Sequence, residues 1–314
     1  MKPEKLKILR DRAEMFRKVR EFFFSRNVCE VDCPSMNRFA SVDVHIDLIR
    51  AYGGNPPATH FLHSSPEYAM KRLLVEGMGD IYQLSHVFRD NEYSMRHNPE
   101  FSMVEWYRLN FSFSKMIEET LDFIRLFIGD MPQTIMSYDQ VFKKYADIDY
   151  RKITEKKLLS YLKEKGIDPY ENIGGEGKDA YLNLIMGVVI EPQLGDKELF
   201  VINHFPASQS MLSKTTMQDG VEVAERFEVF YKGYELANGY HELADPAEQR
   251  KRLVKANKKR EELGKDTLPI DELFLSALEK GLPDCCGVAV GFDRLMMLRH
   301  HLDDIADVLP LSER

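Results

Sequence analysis

Residues 88–107 read FRDNEYSMRHNPEFSMVEWY, and this stretch decides how the rest of the chain is interpreted. An apolar segment ends at Phe88, and a polar loop separates it from a second apolar segment that begins near Glu100. The pattern predicts two strands joined as a hairpin. Alternate residues of a strand share one face, so four side chains of the second strand lie on one face and offer a ring, a carboxylate and a phenol. These are Phe101, Met103, Glu105 and Tyr107.

The loop of this hairpin and its flanks suit a nucleotide. Arg89 ends the first predicted strand, and the loop carries Arg96, His97 and Asn98. Cations bind phosphates, and the ring of Phe101 could stack on a base. A surface hairpin with a charged tip explains the same spacing equally well, so the residues alone leave both interpretations open.

A second predicted hairpin covers 222–241, with a turn at Lys232-Gly233. If that turn has two residues, Glu228 lies opposite Ala237, and Glu235 lies diagonal to Glu228 on the same face. Two close carboxylates repel each other unless a cation lies between them, and Mg²⁺ binds carboxylates together with substrate phosphates. Two solvated glutamates on an edge hairpin are the alternative interpretation.

Asn238 and Glu242 have the opposite parity in this hairpin. They would reach the face of Glu228 only if the strand bulges, and Gly239 is the predicted position of that bulge.

A third feature is GVAVGFDR at 287–294, where a predicted strand runs into a helix. Arg294 lies in the first turn of that helix. A helix N-terminus with an arginine can bind an anion. A tightly packed strand–helix corner would give the same pattern.

The whole chain alternates helices with hairpins. We predict helices over 5–27, 65–76, 114–130, 154–165, 246–264, 271–281 and 293–300. We predict strands over 28–31, 42–50, 80–89, 100–108, 199–204, 222–241 and 285–291, with a loop over 51–57. This order predicts an α+β fold, with an antiparallel sheet flanked by helices in one domain over 1–314.

Composition narrows the class of protein. The net charge of −8 argues against a protein that binds nucleic acid mainly through phosphates, and we interpret the basic run 251–260 as a solvated helix face. No apolar run approaches the roughly 20 residues that span a bilayer. The segment 1–20 lacks the apolar core of a signal peptide, so we expect a cytoplasmic protein without a membrane partner.

Taken together, these features resemble the catalytic core of class II aminoacyl-tRNA synthetases. Pro34, after a helix and a short strand, is similar to the first class II motif, 88–107 to the second and 287–294 to the third. The first motif builds a dimer interface in that family, so the resemblance implies a homodimer. Lysyl-tRNA synthetases are the most similar members, through SPEYAMKRL (65–73), RHNPEF (96–101) and ELANGYHEL (235–243).

Lysyl-tRNA synthetases carry an anticodon-binding domain before this core. Here the first-motif helix begins within a few residues of Met1, so we expect no anticodon-binding domain. HFPASQS (204–210) and the segment 226–243 instead resemble the stand-alone elongation factor P–lysine ligase family. Ala289 agrees with that family, whereas lysyl-tRNA synthetases have glycine there. One added methyl is worth roughly 1–3 kcal/mol of discrimination, and in the ligase family it accompanies a preference for β-lysine.

The resemblance implies an AMP-forming ligase. Such an enzyme activates lysine, here (R)-β-lysine, as an adenylate and transfers it to a lysine side chain of elongation factor P. ATP would be a substrate, Mg²⁺ a cofactor, and tRNA no partner. Two alternatives stay open: a lysyl-tRNA synthetase-like enzyme that charges tRNA without an anticodon domain, and a non-catalytic regulatory paralogue that binds amino acid.

The resemblance also implies roles for individual residues. Arg89 and Arg294 would be catalytic. ATP would contact Arg89, Asn91, His97, Asn98, Phe101, Glu228, Val229, Gly291 and Arg294, and Mg²⁺ would bind Glu228 and Glu235. The amino-acid pocket would contain Ser65, Glu67, Glu105, Tyr107, Glu235, Asn238, Glu242 and Ala289. Glu242 is the expected partner of the substrate's side-chain ammonium.

One position departs from the family pattern. Class II enzymes read F-R-x-E, and this chain has Asn91 where that glutamate belongs. An asparagine carbonyl accepts a hydrogen bond with less charge, so we expect weaker ATP binding. Glu92 could replace the missing carboxylate if the loop shifts.

Overall fold

The structure is a computed structural model that describes residues 3–39, 41–171 and 173–312. The ends of the predicted catalytic domain, 1–2 and 313–314, lie outside these residues. The chain forms two compact units, one of Met1–Gly129 with His241–Arg314 and the other of Asp130–Tyr240. A single domain over 1–314 stays a prediction. None of the helices in the described residues is both long enough and apolar enough to cross a membrane.

The elements follow in chain order. The first part of the first unit contains α1 Pro3–Phe24, β1 Cys29–Glu30, β2 Met36–Asn37, β3 Arg50–Gly53, β4 Ala58–Leu62, α2 Glu67–Val75, β5 Ile81–Phe88, β6 Glu100–Leu109 and α3 Phe113–Ile128. Then come β7 Gln133–Ser137, α4 Tyr138–Ala146, α5 Glu155–Glu164, α6 Lys178–Ile185, β8 Leu199–Pro206, β9 Thr215–Gln218, β10 Val221–Tyr231 and β11 Tyr234–His241. The chain ends with α7 Pro246–Glu262, α8 Glu272–Gly281, β12 Cys285–Gly291 and α9 Phe292–Arg299.

In the first unit, the strand order is β1-β5-β6-β12, and a separate small sheet has the order β2-β4-β3. β5 and β6 pair antiparallel, as do β6 and β12, whereas β1 runs parallel to β5. The buried ring of Trp106 lies 5.3 Å from that of Phe23 in α1 and 5.1 Å from that of Phe123 in α3. One side of β6 therefore faces an aromatic core, and its other side is available for a site.

In the second unit, the strand order is β11-β10-β8-β7, with β9 also paired to β10. The pairs are antiparallel except β7 with β8, so the predicted antiparallel sheet contains some parallel pairing. The core of this unit lies between the strands and α4, α5 and α6. Its buried aromatic residues include Tyr138, Phe142, Tyr150, Phe200, Phe205 and Phe230.

The predicted α+β class is confirmed, and the predicted helices agree with the observed bounds to within a few residues. The strand predicted over 42–50 is wrong. The carboxylate of Asp43 accepts hydrogen bonds from the backbone N–H groups of His45 and Ile46, at 2.7 and 3.1 Å. Such local bonds turn the chain and compete with strand pairing. The loop predicted over 51–57 is wrong in part, because Arg50–Gly53 pairs with β4.

The hairpin of β10 and β11 has the predicted two-residue turn, and Lys232 and Gly233 have φ of +51° and +69°. Its register differs from the prediction, since Glu228 lies opposite Asn238 and not opposite Ala237. Val229 pairs with Ala237 and Phe230 with Glu235, which leaves one residue of β11 as a bulge.

That bulge changes the face on which Asn238 lies. Residues directly opposite each other share a face, so Asn238 lies on the same face as Glu228. The bulge was predicted at Gly239, but Gly239 pairs in register with Phe227. The extra residue is Leu236, which lies closer to the hairpin turn than Gly239 does.

Candidate active site

The functional face of β6 continues onto its two neighbouring strands. Glu105 pairs with Gln83 of β5 and with Ala289 of β12, and Tyr107 pairs with Gly287 of β12. The predicted parity of this strand is confirmed. It places Ala289 directly beside Glu105 on the same face of the sheet.

Glu105 is the buried centre of a hydrogen-bonded group. The hydroxyls of Ser65 and Tyr107 each donate to its carboxylate at 2.7 Å, and Ser65 also accepts from the backbone N–H of Glu67 at 3.0 Å. Burial and the nearby charge of Glu67 raise the pKa of Glu105 to about 8, although the two hydrogen bonds oppose this. The carboxyl can therefore change its charge near neutral pH, when a ligand cation approaches.

A lysine that the sequence analysis missed joins the two other carboxylates of this group. Lys71 is wholly buried, and its ammonium lies 2.6 Å from Glu67 and 2.5 Å from Glu242. Burial lowers the pKa of Lys71, but the two carboxylates outweigh it and raise the pKa overall, so the ammonium stays charged. The i,i+4 spacing of Glu67 and Lys71 in a predicted helix was the available signal.

Gly287 packs closely against two residues of the same group, Tyr107 and Glu242. A Cβ at this position would lie 2.5 Å from the Oε1 atom of Glu242 and 2.6 Å from the Cδ1 atom of Tyr107. Only glycine fits this close approach. The sequence pattern indicated a strand–helix corner and did not reveal this contact.

Two residues of the predicted phosphate site meet at the start of α9. A guanidinium nitrogen of Arg294 lies 2.8 Å from Nε2 of His97, and Nδ1 of His97 lies 2.8 Å from the hydroxyl of Ser94. Because arginine only donates, Nε2 accepts, and Nδ1 carries the proton that it donates to Ser94. The amide of Asn98 donates to the carbonyl of Glu100 at 2.6 Å.

Arg89 lies over the ring of Phe101, with 5.1 Å from its guanidinium carbon to the ring centroid. Glu92 lies 3.7 Å from this guanidinium. Asn91 is exposed, has φ of +63° and donates its backbone N–H to Asp90 at 2.9 Å. The carboxylate next to Arg89 is therefore that of Glu92, and its contact with adenine in place of the missing glutamate stays a prediction.

The second unit holds a separate group of charges. Arg226 of β10 donates to the carboxylate of Glu228 and, at 3.3 Å, to the amide oxygen of Asn238. Burial raises the pKa of Glu228, Arg226 opposes this, and Glu235 raises the pKa further. Arg226 was missed, although it shares the parity of Glu228. Val229 lies on the opposite face of β10 and is buried.

Glu228 and Glu235 fit a hard divalent cation by their chemistry. They are oxygen donors on paired strands, and the charge of Glu235 disfavours the ionised form of Glu228 unless a cation is present. Among the described residues, no group of three or more His, Cys, Asp and Glu side chains could hold a metal ion. A metal here would need further ligands from substrate phosphates or water, which is the coordination that Mg²⁺ prefers.

The sequence profile of the family described as tRNA synthetases class II (D, K and N) matches residues 1–314. The chain belongs to this class II tRNA synthetase family. It is similar along its length to curated relatives named elongation factor P–(R)-β-lysine ligase. The relative from Haemophilus influenzae (strain Rd) is 40% identical over 305 residues, which are 96% of this chain and 93% of the relative.

Two further relatives carry the same name. The protein of Avibacterium paragallinarum is 40% identical over 311 residues, which cover 98% of this chain and 95% of the relative. The protein of Photorhabdus laumondii is 40% identical over 305 residues, with coverage of 96% and 93%. The predicted resemblance is confirmed by these matches, whereas the roles of the individual site residues stay predictions.

Proposed function

We propose that this protein activates (R)-β-lysine with ATP and transfers it to a lysine side chain of elongation factor P. The observation that carries the proposal is the buried group around Glu105, which offers three carboxylates to a substrate with two ammonium groups. The names of relatives that match almost the whole chain support the choice of amino acid and acceptor.

The first step forms an adenylate. A carboxylate oxygen of the amino acid attacks the α-phosphorus of ATP, the bond from that phosphorus to the bridging oxygen breaks, and pyrophosphate leaves. Arg89 and Arg294 bind the phosphates and stabilise the charge that develops on them. Phe101 stacks on adenine with the face that Arg89 does not cover. His97 orients Arg294 through their hydrogen bond.

The second step forms an amide. The neutral amine of the acceptor lysine attacks the carbonyl carbon of the adenylate, the bond from that carbon to the phosphate oxygen breaks, and AMP leaves. The amine nitrogen loses one proton to solvent or to AMP. No covalent bond forms between the amino acid and the enzyme itself, and catalysis rests on positioning and charge stabilisation.

The amino-acid pocket sets the substrate. Ser65, Glu67, Glu105, Tyr107 and Glu242 surround the ammonium groups in the proposal. Ala289 lies beside Glu105, so its methyl narrows the pocket where the position of the amino group distinguishes α- from β-lysine.

Further parts of the proposal concern the second unit and the assembly. Glu228 and Glu235 would hold Mg²⁺, which neutralises phosphate charge when bound, and Val229, Asn238, Gly291, Asn91 and Asn98 keep their predicted contacts to substrates. The proposal also includes a homodimer, a cytoplasmic location and residues 1–314 as one catalytic domain. Light scattering coupled to gel filtration measures the dimer directly.

The test is ATP–pyrophosphate exchange with α- and β-lysine side by side, followed by transfer of the labelled amino acid. We expect exchange with β-lysine to exceed that with α-lysine, and label to appear on elongation factor P. Arg294→Ala should abolish the exchange. Label on tRNA alone would favour a tRNA-charging enzyme, and no exchange with either isomer would favour a regulatory paralogue.

A further inference from the structure

Lys71 holds a position that the proposed mechanism does not use. It comes from α2, it is wholly buried, and its ammonium bridges Glu67 of the same helix and Glu242, which follows β11. Glu242 is also the residue expected to bind an ammonium of the substrate. The protein therefore supplies its own ammonium at the carboxylate that the substrate is expected to use.

The charges of this group explain why the ammonium of Lys71 and those of a substrate can be bound together. Glu67, Glu105 and Glu242 contribute three negative charges when all are ionised, and Lys71 contributes one positive charge, so the group has a net charge of −2. An amino acid with two ammonium groups brings +2 once its carboxylate has been joined to the α-phosphate in the adenylate. A substrate with one ammonium group would leave one of the three acids protonated or one negative charge without a partner, so it would gain less from the pocket.

The orientation of the carboxylates points the same way. A lysine ammonium has three donor protons, and two of them suffice for Glu67 and Glu242. Each of these carboxylates therefore keeps oxygen lone pairs for a second cation. Without Lys71, the two carboxylates that now contact the same ammonium would share a proton, and one of them would cease to be an acceptor for an ammonium.

We propose that Lys71 is a specificity-determining positioning residue, which keeps Glu67 and Glu242 ionised and oriented so that the pocket selects amino acids with two ammonium groups. The inference rests on the proposed activation of a lysine isomer. Lys71 acts through the two carboxylates and does not contact the reacting atoms. A purely structural ion pair would affect all substrates alike, whereas this role affects diamino acids more than monoamino acids.

The test compares Lys71→Met with Lys251→Met, an exposed lysine that is also paired to a glutamate, at 3.1 Å from Glu248. Each variant is assayed by exchange and by calorimetric binding, with β-lysine against 3-aminohexanoic acid and with lysine against norleucine. We expect Lys71→Met to raise the KM and Kd for the diamino acids about 100-fold, and those for the monoamino acids less than about threefold. The KM for ATP and all values for Lys251→Met should stay near wild type.

The pH profile gives a second readout. Raising the pH removes the proton shared by Glu67 and Glu242 in Lys71→Met, so its defect relative to wild type should narrow from about pH 6 to about pH 8.5. The titratable groups that face this pair also include Glu105, Tyr107 and His241. If Lys71 had only a structural role, the loss of diamino-acid binding relative to wild type would not become smaller with rising pH.

A comparison of two further variants covers the case in which Lys71→Met does not fold. Lys71→Met/Glu242→Gln removes both charges of one pair and should bind diamino acids no worse than Glu242→Gln alone. The inference is overturned if the double variant binds diamino acids clearly worse than Glu242→Gln, or if Lys71→Met loses diamino and monoamino acids equally. Binding of diamino acids without exchange would refute the proposed function and leave the role of Lys71 standing. Absence of diamino-acid binding to the wild-type protein overturns both.

Discussion

Two groups of buried acids, one in each compact unit, differ in how they obtain their internal cation. In the first unit, Lys71 of α2 bridges carboxylates that are far apart in sequence, Glu67 and Glu242. In the second unit, Arg226 pairs with Glu228 on the same strand, two residues away. Tertiary packing assembles the first group, whereas strand parity and one hairpin turn build the second.

The difference also concerns the charge that each group leaves for a ligand. The group around Lys71, here called the lysine group, has a surplus of two negative charges when Glu67, Glu105 and Glu242 are all ionised, and this surplus suits a diamino acid. The arginine group has Glu228 and Glu235 against one guanidinium, a surplus of one, and a divalent cation that also binds phosphates would compensate for it. Arginine suits this second place because its planar fork donates to Glu228 and Asn238 together.

Breaking the arginine group should give the largest effect. In Glu228→Gln, Arg226 loses its charged partner while it is largely buried, and one of the two proposed Mg²⁺ ligands loses its charge. We expect a loss of about 3 kcal/mol in the free energy of unfolding. We also expect exchange to fall about 1,000-fold, with a higher Mg²⁺ requirement. Denaturant unfolding and exchange at several Mg²⁺ concentrations measure both effects.

Glu222→Gln is the matched control for that variant. Glu222 lies on the same strand and is exposed, and its carboxylate accepts from Thr215 at 2.7 Å. It should change stability by less than about 0.5 kcal/mol and leave the Mg²⁺ requirement unchanged. A Glu228→Gln protein with wild-type stability and wild-type Mg²⁺ dependence would show that the arginine group is only a surface ion pair.

The lysine group can also be disturbed without removing a charge, by substituting Gly287, which packs against it. In Gly287→Ala, the new methyl would overlap the ring of Tyr107 and the carboxylate of Glu242, so one of them must move. We expect the KM for β-lysine to rise about 50-fold and stability to fall by about 2 kcal/mol, with little change in the KM for ATP. Gly187→Ala, where no atom lies within 4 Å of the new methyl, is the control. Unchanged KM in Gly287→Ala would refute the close-packed pocket.

The contrast between the two groups also shows how much could be predicted from sequence. The second group was within reach, because a two-residue turn and strand parity place Glu228, Glu235 and Arg226 near one another. Even there the register was off by one residue, since nothing in the sequence marked Leu236 as the bulge. Strand parity also predicted correctly that Phe101, Glu105 and Tyr107 share a face.

The first group was only half predictable. Its acids were named through family resemblance, but the contact of Lys71 with Glu242 joins residues 171 positions apart, and no local pattern reports such a contact. The strand predicted over 42–50 failed for a related reason. Its alternation of apolar and polar residues was correct, but Asp43 turned the chain, and Arg260 bound the carbonyls of Asp43 and Ile46 at 2.8 and 2.9 Å.

A smaller effect should come from the methyl beside Glu105. Ala289→Gly removes it without disturbing the charges of the lysine group, so the pocket widens at the position that pairs with Glu105. We expect the ratio of kcat/KM for β-lysine over α-lysine to fall about tenfold, mainly because α-lysine improves. Exchange with each isomer gives the ratio. If both isomers lose activity equally, the methyl acts on packing and not on selection.

A gradual effect, spread over several pH units, is the contribution of Glu105 to the pH dependence of stability. Its pKa is raised to about 8 by burial and by Glu67, so in the folded protein it binds a proton that the unfolded chain has already released. Wild-type stability should therefore fall as pH rises through the range between the unfolded pKa of about 4.3 and about 8, by at most about 1.4 kcal/mol per pH unit. Glu105→Gln cannot ionise, so its stability relative to wild type should increase from pH about 5.5 to about 8.

Urea unfolding of wild type, Glu105→Gln and the exposed control Glu100→Gln at a series of pH values measures this difference. Saturating β-lysine should remove it, because the ammonium groups of the bound substrate favour the ionised carboxylate and lower the pKa of Glu105. In the arginine group the corresponding experiment needs Mg²⁺ in place of the amino acid. Parallel stability curves for wild type and Glu105→Gln would mean that the hydrogen bonds from Ser65 and Tyr107 keep Glu105 ionised throughout, so the pocket would hold its full charge before the substrate arrives.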